Sequence, residues 1–315
     1  MPTTTFETSR ADRRKGRRRR RATLGLLSAF AVALGGLALG VAGSAVTAPS
    51  ASALAKIKCK QTTGTAKVDP IRTHNMPVSN MQHLHEFFGN NHFLSLSNPN
   101  AANYSDLVGQ GTNCVNPADT AGYWVPALSY KSTGALVPVQ AFTAYYRSWD
   151  FQKTGDGVPL PEDVRLIATQ HDWTCGQFES TAPSQSIPDC SSANGSPGST
   201  LTAHIDFPSC WDGVKPSHSS TEVGDTSDNE HFAYRVGSGC PAGFPIKTVA
   251  LRETIQYDYQ GRGDDLVLSS DSMMGTSDGQ SLHADFWNAW TTAGMASMVK
   301  NCVNPGGNPT AAECG

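Results

Sequence analysis

Asn80-Met-Gln-His-Leu-His-Glu-Phe-Phe-Gly-Asn90 sets His83 and His85 two residues apart, follows them with Glu86 and closes on Gly89. In an extended chain alternate side chains share a face, so both imidazoles point the same way. Two histidines on one surface signal ligand binding or proton exchange. Two similar pairs lie downstream, His204-Ile-Asp206 and His283-Ala-Asp285. The expectation is that three short strands bring these groups into one polar site on a β-rich scaffold.

Working outward, the first 55 residues stand apart from the fold. Residues 10–21 hold nine Lys/Arg, an apolar run extends from Leu24 through Val46, and Ala53-Leu54-Ala55 offers a small-residue cleavage site. Basic region, apolar region and A-x-A cut together read as an export signal over 1–55, leaving 56–315 as a single domain. The alternative is a retained helix, since the apolar run is long enough to span a bilayer. Cleavage predicts an extracellular protein with no stable membrane association. The full chain carries 24 basic and 27 acidic residues; without the leader's nine basic and two acidic ones, 15 face 25, a net charge of −10. Such a surface repels phosphate backbones, so nucleic acid is excluded as a partner.

All eight cysteines follow the cleavage site. An even count in an exported chain reads as disulfides. Cys175–Cys190 and Cys302–Cys314 are the expected local pairs. No C-x-x-C and no phosphate-binding loop occurs, which removes zinc ribbons, thioredoxin-type redox chemistry and nucleotide hydrolysis.

Runs rich in aromatic and β-branched residues predict strands at 123–128, 137–146, 163–169, 201–207, 230–236 and 247–259, with Pro126 and Pro138 marking edges or bulges. Residues 180–200, crowded with Ser, Pro and Gly, predict a loop tethered by Cys190. Ala284 to Lys300 is the one strong helix candidate by spacing. Many short strands with a terminal helix predict a mainly β, antiparallel sandwich or jelly roll, disulfide-bonded.

Several groups have the chemistry for a site. His83 and His85 could bind a divalent metal with a third ligand from His204, His231 or His283; no cofactor is otherwise indicated. His204/Asp206 and His283/Asp285 could pair a base with an orienting carboxylate, although Asp285 as a helix N-cap is the structural alternative. Asp206 and Asp212 flank a turn. Glu86, Asp206, Asp212, Glu253 and Asp285 supply enough acids for a glycosidase pair. A polysaccharide lyase would instead use a His or Tyr base with a group neutralising a uronate, for which Tyr234, Arg235, Asn80 and His231 are candidates. The six tryptophans, Trp124, Trp149, Trp173, Trp211, Trp287 and Trp290, are sugar-stacking candidates or core. Glu253, on an otherwise apolar face with Leu251 and Ile255, is either buried with a partner or lines a cleft.

Asp69-Pro-Ile, His83-Leu-His-Glu-Phe-Phe-Gly89, Phe207-Pro-Ser-Cys-Trp-Asp-Gly213, His231-Phe-Ala-Tyr234, Cys240-Pro and Leu282-His-Ala-Asp-Phe-Trp-Asn288 occur in that order. In these motifs the chain resembles the secreted domain-of-unknown-function family numbered nineteen-ninety-six, found in fungi and actinomycetes. Some relatives carry carbohydrate-binding modules, so the resemblance implies an extracellular polysaccharide target. It also implies that the polar positions of interest are His83, His85, Trp211, Asp212, His283 and Asp285. The expected function is a secreted carbohydrate-active enzyme cleaving glycosidic bonds, by hydrolysis or elimination. His83, His85, His283, Asp285, Asp206 and Asp212 would be catalytic, with Trp211, His204, Tyr234 and Glu253 on substrate. The alternative is a non-catalytic metal- or glycan-binding cell-wall protein.

Overall fold

Fifteen strands carry the fold, and the computed structural model describes them within residues 54–60, 62–77, 82–148, 157–176, 182–191, 199–304 and 311–315. The leader as far as residue 53, together with Asn80, Trp149 and Asn194, lies outside the described residues. In chain order the strands are β1 (Leu54–Cys59), β2 (Gly64–Ala66), β3 (His85–Gly89), β4 (Gly122–Pro126), β5 (Leu128–Tyr130), β6 (Val139–Arg147), β7 (Arg165–Ala168) and β8 (Gln170–Cys175). They continue as β9 (Leu201–Asp206), β10 (Cys210–Trp211), β11 (Phe232–Ala233), β12 (Ile246–Lys247), β13 (Ala250–Tyr257), β14 (Leu266–Leu268) and β15 (Ala284–Trp287).

Two five-stranded sheets, β1-β6-β13-β9-β8 and β2-β3-β4-β15-β7, are paired antiparallel throughout. Their inner faces share one apolar cluster: Ile57, Phe142, Ala144 and Ile255 come from the first sheet, Phe88, Tyr123, Leu166 and Phe286 from the second. Phe88 stacks on Phe142 across the gap, ring centroids 4.4 Å apart. This is the expected antiparallel sandwich, in which alternate residues of each strand fill the space between sheets.

The second sheet is covered on its outer face as well. Phe87, Trp124, Ile167 and Trp287 pack there against Val68 and Ile71 from the β2–β3 connection and Phe93 and Leu107 from the β3–β4 connection. Double coverage explains why every residue of β3, β4 and β15 is buried, a pattern that erases the alternation expected of a half-exposed strand. Gly89 ends β3 at φ +79°, where a Cβ would collide with the Ala121 carbonyl and the Tyr123 ring.

The helix expected over Ala284 to Lys300 is corrected in its first part. Ala284–Trp287 is strand β15, registered on Gly122–Trp124 of β4 and on Arg165–Ala168 of β7. Sheet pairing on two sides outweighs the helical spacing, because Ala284 and Phe286 fill the inner core while Trp287 fills the outer one. The helix is Thr292–Met298; the Thr291 side chain accepts the Gly294 N–H at its start, and Met295 and Met298 are buried. A single π-helical turn, Val299–Val303, follows. Pro126 closes central β4 rather than marking an edge. The 230–236 segment reduces to Phe232–Ala233 after a 3-10 turn.

Four disulfides tie the chain: Cys175–Cys190 and Cys302–Cys314 as expected, with Cys59–Cys114 and Cys210–Cys240. β1 begins at Leu54, so a cut after Ala55 leaves Lys56–Cys59 to pair with β6. Among the described residues no helix is long and apolar enough to cross a membrane.

Candidate metal centre

Along the outer face of the second sheet the aromatic row Phe87, Trp124 and Trp287 gives way, two residues along β3 and β15, to His85 and Asp285. His83 precedes β3 and His283 precedes β15, so each strand delivers one histidine at its mouth and one polar residue inside. The rings of His83 and His85 lie 4.1 Å apart by centroid, His83 and His283 5.1 Å, and His85 and His283 6.0 Å. One nitrogen from each ring falls within 4.8 Å of the other two. Bonds of about 2.1 Å at tetrahedral angles place donors about 3.4 Å apart, so loading needs the rings to close by up to about 1.4 Å.

The hydrogen bonds fix which nitrogens are offered. His85 Nδ1 lies 2.9 Å from the Val68 carbonyl and His283 Nδ1 lies 2.9 Å from the Ser281 carbonyl. A carbonyl only accepts, so both Nδ1 atoms carry the hydrogen and both Nε2 atoms keep a bare lone pair. Backbone anchoring of the distal nitrogen is how metal-binding histidines are oriented. Neither nitrogen of His83 has a hydrogen-bond partner, nor does His85 Nε2. Burial holds all three histidines below the usual range, helped by the neighbouring rings at His83 and His85 and by Arg72 and His171 at His283: His83 falls to about 3, His283 to about 4, and His85 is also lowered. The trio is therefore neutral at any ordinary pH and ready to donate.

The carboxylate shell is short of protons' worth of partners too. Asp285 is fully buried, and neither of its oxygens has a hydrogen-bond partner. Burial, with the nearby Asp69, raises its pKa well above the usual carboxylate range. Asp69 is itself raised by burial, against the opposing bond from the Arg72 backbone N–H. A cleft of about 280 Å³ opens onto His83 and His283 and is lined as well by Asp69, Arg72, His171, Met273 and Met274. His85 sits behind the two front rings.

A family model described as "Domain of unknown function (DUF1996)" matches residues 69–290. The chain belongs to this family. The matched span runs from Asp69 at the cleft rim past β15, so all three histidines of the DUF1996 chain lie inside it. No curated protein and no solved structure matches the chain.

Within this DUF1996 fold the other anticipated site residues scatter. His204 lies on β9 of the first sheet and is bonded to Thr174 Oγ1 at 3.1 Å and Thr254 Oγ1 at 3.2 Å, a satisfied core histidine. Asp206 meets Arg147 at 2.5 Å and Arg252 at 2.6 Å; burial works to raise its pKa, but the two arginines outweigh it and hold it below the usual range. Asp212 accepts from the Val214 N–H at 2.8 Å and from His231 Nδ1 at 2.9 Å, contacts that lower its pKa and raise that of His231. Asp206, Asp212 and Asp285 therefore form no acid pair. Glu253 and Glu86 both face the interior between the sheets. Neither oxygen of Glu253 has a hydrogen-bond partner, and burial raises it well above its usual pKa; burial raises Glu86 to about 7.

Tyr234 accepts from the backbone N–H of Thr169 and of Gln170 and lines a pocket with Arg147 and Asp206, beside the histidine cleft but not in it. Trp211 lines a third cavity, of about 550 Å³, with Pro159, Pro161 and Pro216, and its Nε1–H goes to the Val214 carbonyl. Trp124, Trp173, Trp287 and Trp290 are core. The cleft residues that sequence reading did not single out for a role are Asp69, Arg72, His171 and the adjacent Met273 and Met274. Asp69 sits in a quoted motif; the others have no local signature.

Proposed function

We propose that the His83–His85–His283 cluster is a transition-metal centre and that the protein is an exported, metal-dependent enzyme cleaving polysaccharide glycosidic bonds in the cleft above it. One observation carries the reading: two imidazoles with Nδ1 anchored on backbone carbonyls hold a nitrogen within 4.8 Å of a third imidazole that has no partner at all. When bound, a divalent cation there supplies Lewis acidity to a substrate oxygen. The three rings would hold it at the floor of the cleft of about 280 Å³. Arg72 stands at the rim with its side chain 60% exposed and its Nη1 3.7 Å from Asp225, placed to hold the carboxylate of an acidic sugar. Four disulfides support an oxidising, extracellular setting.

The deciding experiment purifies the protein, removes metal, and reloads it with zinc, manganese, copper or iron(II) before incubation with neutral and uronic-acid polysaccharides. Reducing ends and unsaturated-product absorbance are read separately. Metal-dependent product release, lost in His283→Ala, is the expected result. The deep position of His85 and Asp285 favours the second reading, a non-catalytic metal-binding protein. Stoichiometric metal with no product from any polysaccharide would establish that reading instead.

A further inference from the structure

The three-histidine reading leaves a buried group beside the rings unexplained. Asp285 is wholly inaccessible, and both of its oxygens are without a hydrogen-bond partner. An isolated carboxylate in that position is expensive unless a cation neutralises it. Arg72 does so only in part: its charge pulls the Asp285 pKa down against burial, but its ion pair is with Asp225 and its side chain is mostly in solvent.

One polar atom close to Asp285 is the one offered for metal. Asp285 Oδ2 lies 3.8 Å from His283 Nε2. The Nδ1–H of that ring is already given to the Ser281 carbonyl, so Nε2 presents a lone pair to the carboxyl group. A distance of 3.8 Å is too long for an O–H···N hydrogen bond, so protonating Asp285 would not satisfy the pair. It does suit two donors on one ion, since bonds of about 2.1 Å span that gap at an angle of roughly 130°. The spacing also follows from the chain. His283 and Asp285 are alternate residues entering one strand, and the pairing of β15 with Trp124 on β4 and Ile167 on β7 fixes where Asp285 stands.

We infer that Asp285 is the fourth protein donor, making the centre a three-histidine, one-carboxylate site for a divalent first-row cation of the zinc, manganese or iron(II) class. This rests on the three-histidine reading and sharpens it. Three neutral nitrogens would accept soft copper(I) readily, whereas an added anionic oxygen favours the harder divalent ions. His83 and His283 line the cleft, so a molecule bound there would lie beside the ion such a site would hold.

The test titrates metal-free wild type, Asp285→Asn and His83→Ala with zinc by calorimetry and with cobalt(II) by visible absorption. The expected result is zinc binding at least 30-fold weaker in Asp285→Asn, on the order of a lost ligand or its supporting shell, together with shifted cobalt ligand-field bands. Wild-type affinity and an unchanged cobalt spectrum in Asp285→Asn, with binding lost in His83→Ala, would overturn the Asp285 assignment and leave the three-histidine centre standing. No binding by wild type would remove both. Should Asp285→Asn not fold, X-ray absorption of the zinc-loaded wild type decides. Three imidazole shells with a carboxylate oxygen support the assignment, and three imidazoles with water alone overturn it.

Discussion

Acid is the sharpest probe of the histidine trio. A ring with the ordinary pKa of about 6.5 is only about 3% neutral at pH 5, so three independent rings lose roughly 10⁴ in apparent metal affinity between pH 7 and pH 5, about 5.7 kcal/mol. In the folded protein burial holds His83 at about 3 and His283 at about 4, with His85 also lowered. All three stay neutral at pH 5, so proton competition at the rings costs less than about twofold over the same interval. A carboxyl group held protonated at Asp285 adds at most about tenfold per unit. Lowered histidine pKa values mean that the unfolded chain takes up protons that the native cluster refuses. In the metal-free protein these rings therefore withdraw stability as pH falls below about 6.5, by up to about 1.4 kcal/mol per ring per unit, until the folded values near 4 and 3 are reached. The assay is competition for cobalt(II) against a chromophoric chelator at pH 7, 6 and 5, corrected for the chelator's own protonation, beside an unstructured three-histidine peptide. A loss of 10³ or more in the protein over that range would show the rings to be solvated and separately titrating, and would refute the arrangement described above.

Truncation distinguishes the front ring from the rear one. His85→Ala removes a fully buried side chain and its bond to Val68, at a cost of about 2–4 kcal/mol in chemical denaturation; His83→Ala, which breaks no hydrogen bond, costs under about 1 kcal/mol while also abolishing metal binding. Equal destabilisation by both would mean that His83 is structural. Glu253→Gln is expected to stabilise the protein at neutral pH. The buried acid must take up a proton to fold, so wild type weakens relative to the variant by about 1.4 kcal/mol for each unit above the unfolded carboxyl pKa, until the raised folded value is reached. Calorimetry at pH 5, 6 and 7 checks that the gap widens, and a constant gap rejects it. Replacing Cys210 and Cys240 together by serine opens a 30-residue loop and costs about 3–4 kcal/mol by loop entropy; a midpoint within 2 °C of wild type would contradict that.

The sequence carried more of the site than of its neighbourhood. The i, i+2 spacing put His83 with His85, and His283 with Asp285, because period-two geometry is local and survives in any strand. The same spacing at His204 and Asp206 is just as regular, yet β9 belongs to the other sheet. A local pattern does not say which sheet a strand joins, so no sequence rule would have separated these pairs. Ala284–Trp287 misread as helix because a strand buried on both faces shows no alternation, and its apolar residues also fit a 3.6 period. Arg72 and Met274 reach the cleft from connections that only the tertiary fold brings near. Cys175–Cys190 and Cys302–Cys314 were readable from separations of 15 and 12. The pairs 55 and 30 residues apart were not.

Mounting the histidines on the exterior side of one sheet has an evolutionary consequence. The interior between the sheets can tolerate or reject mutations on its own terms, while the connections that roof the cleft are free to lengthen, shorten or change charge. A chain built this way can change what its cleft admits by rewriting the roof alone while the histidine frame stays in place.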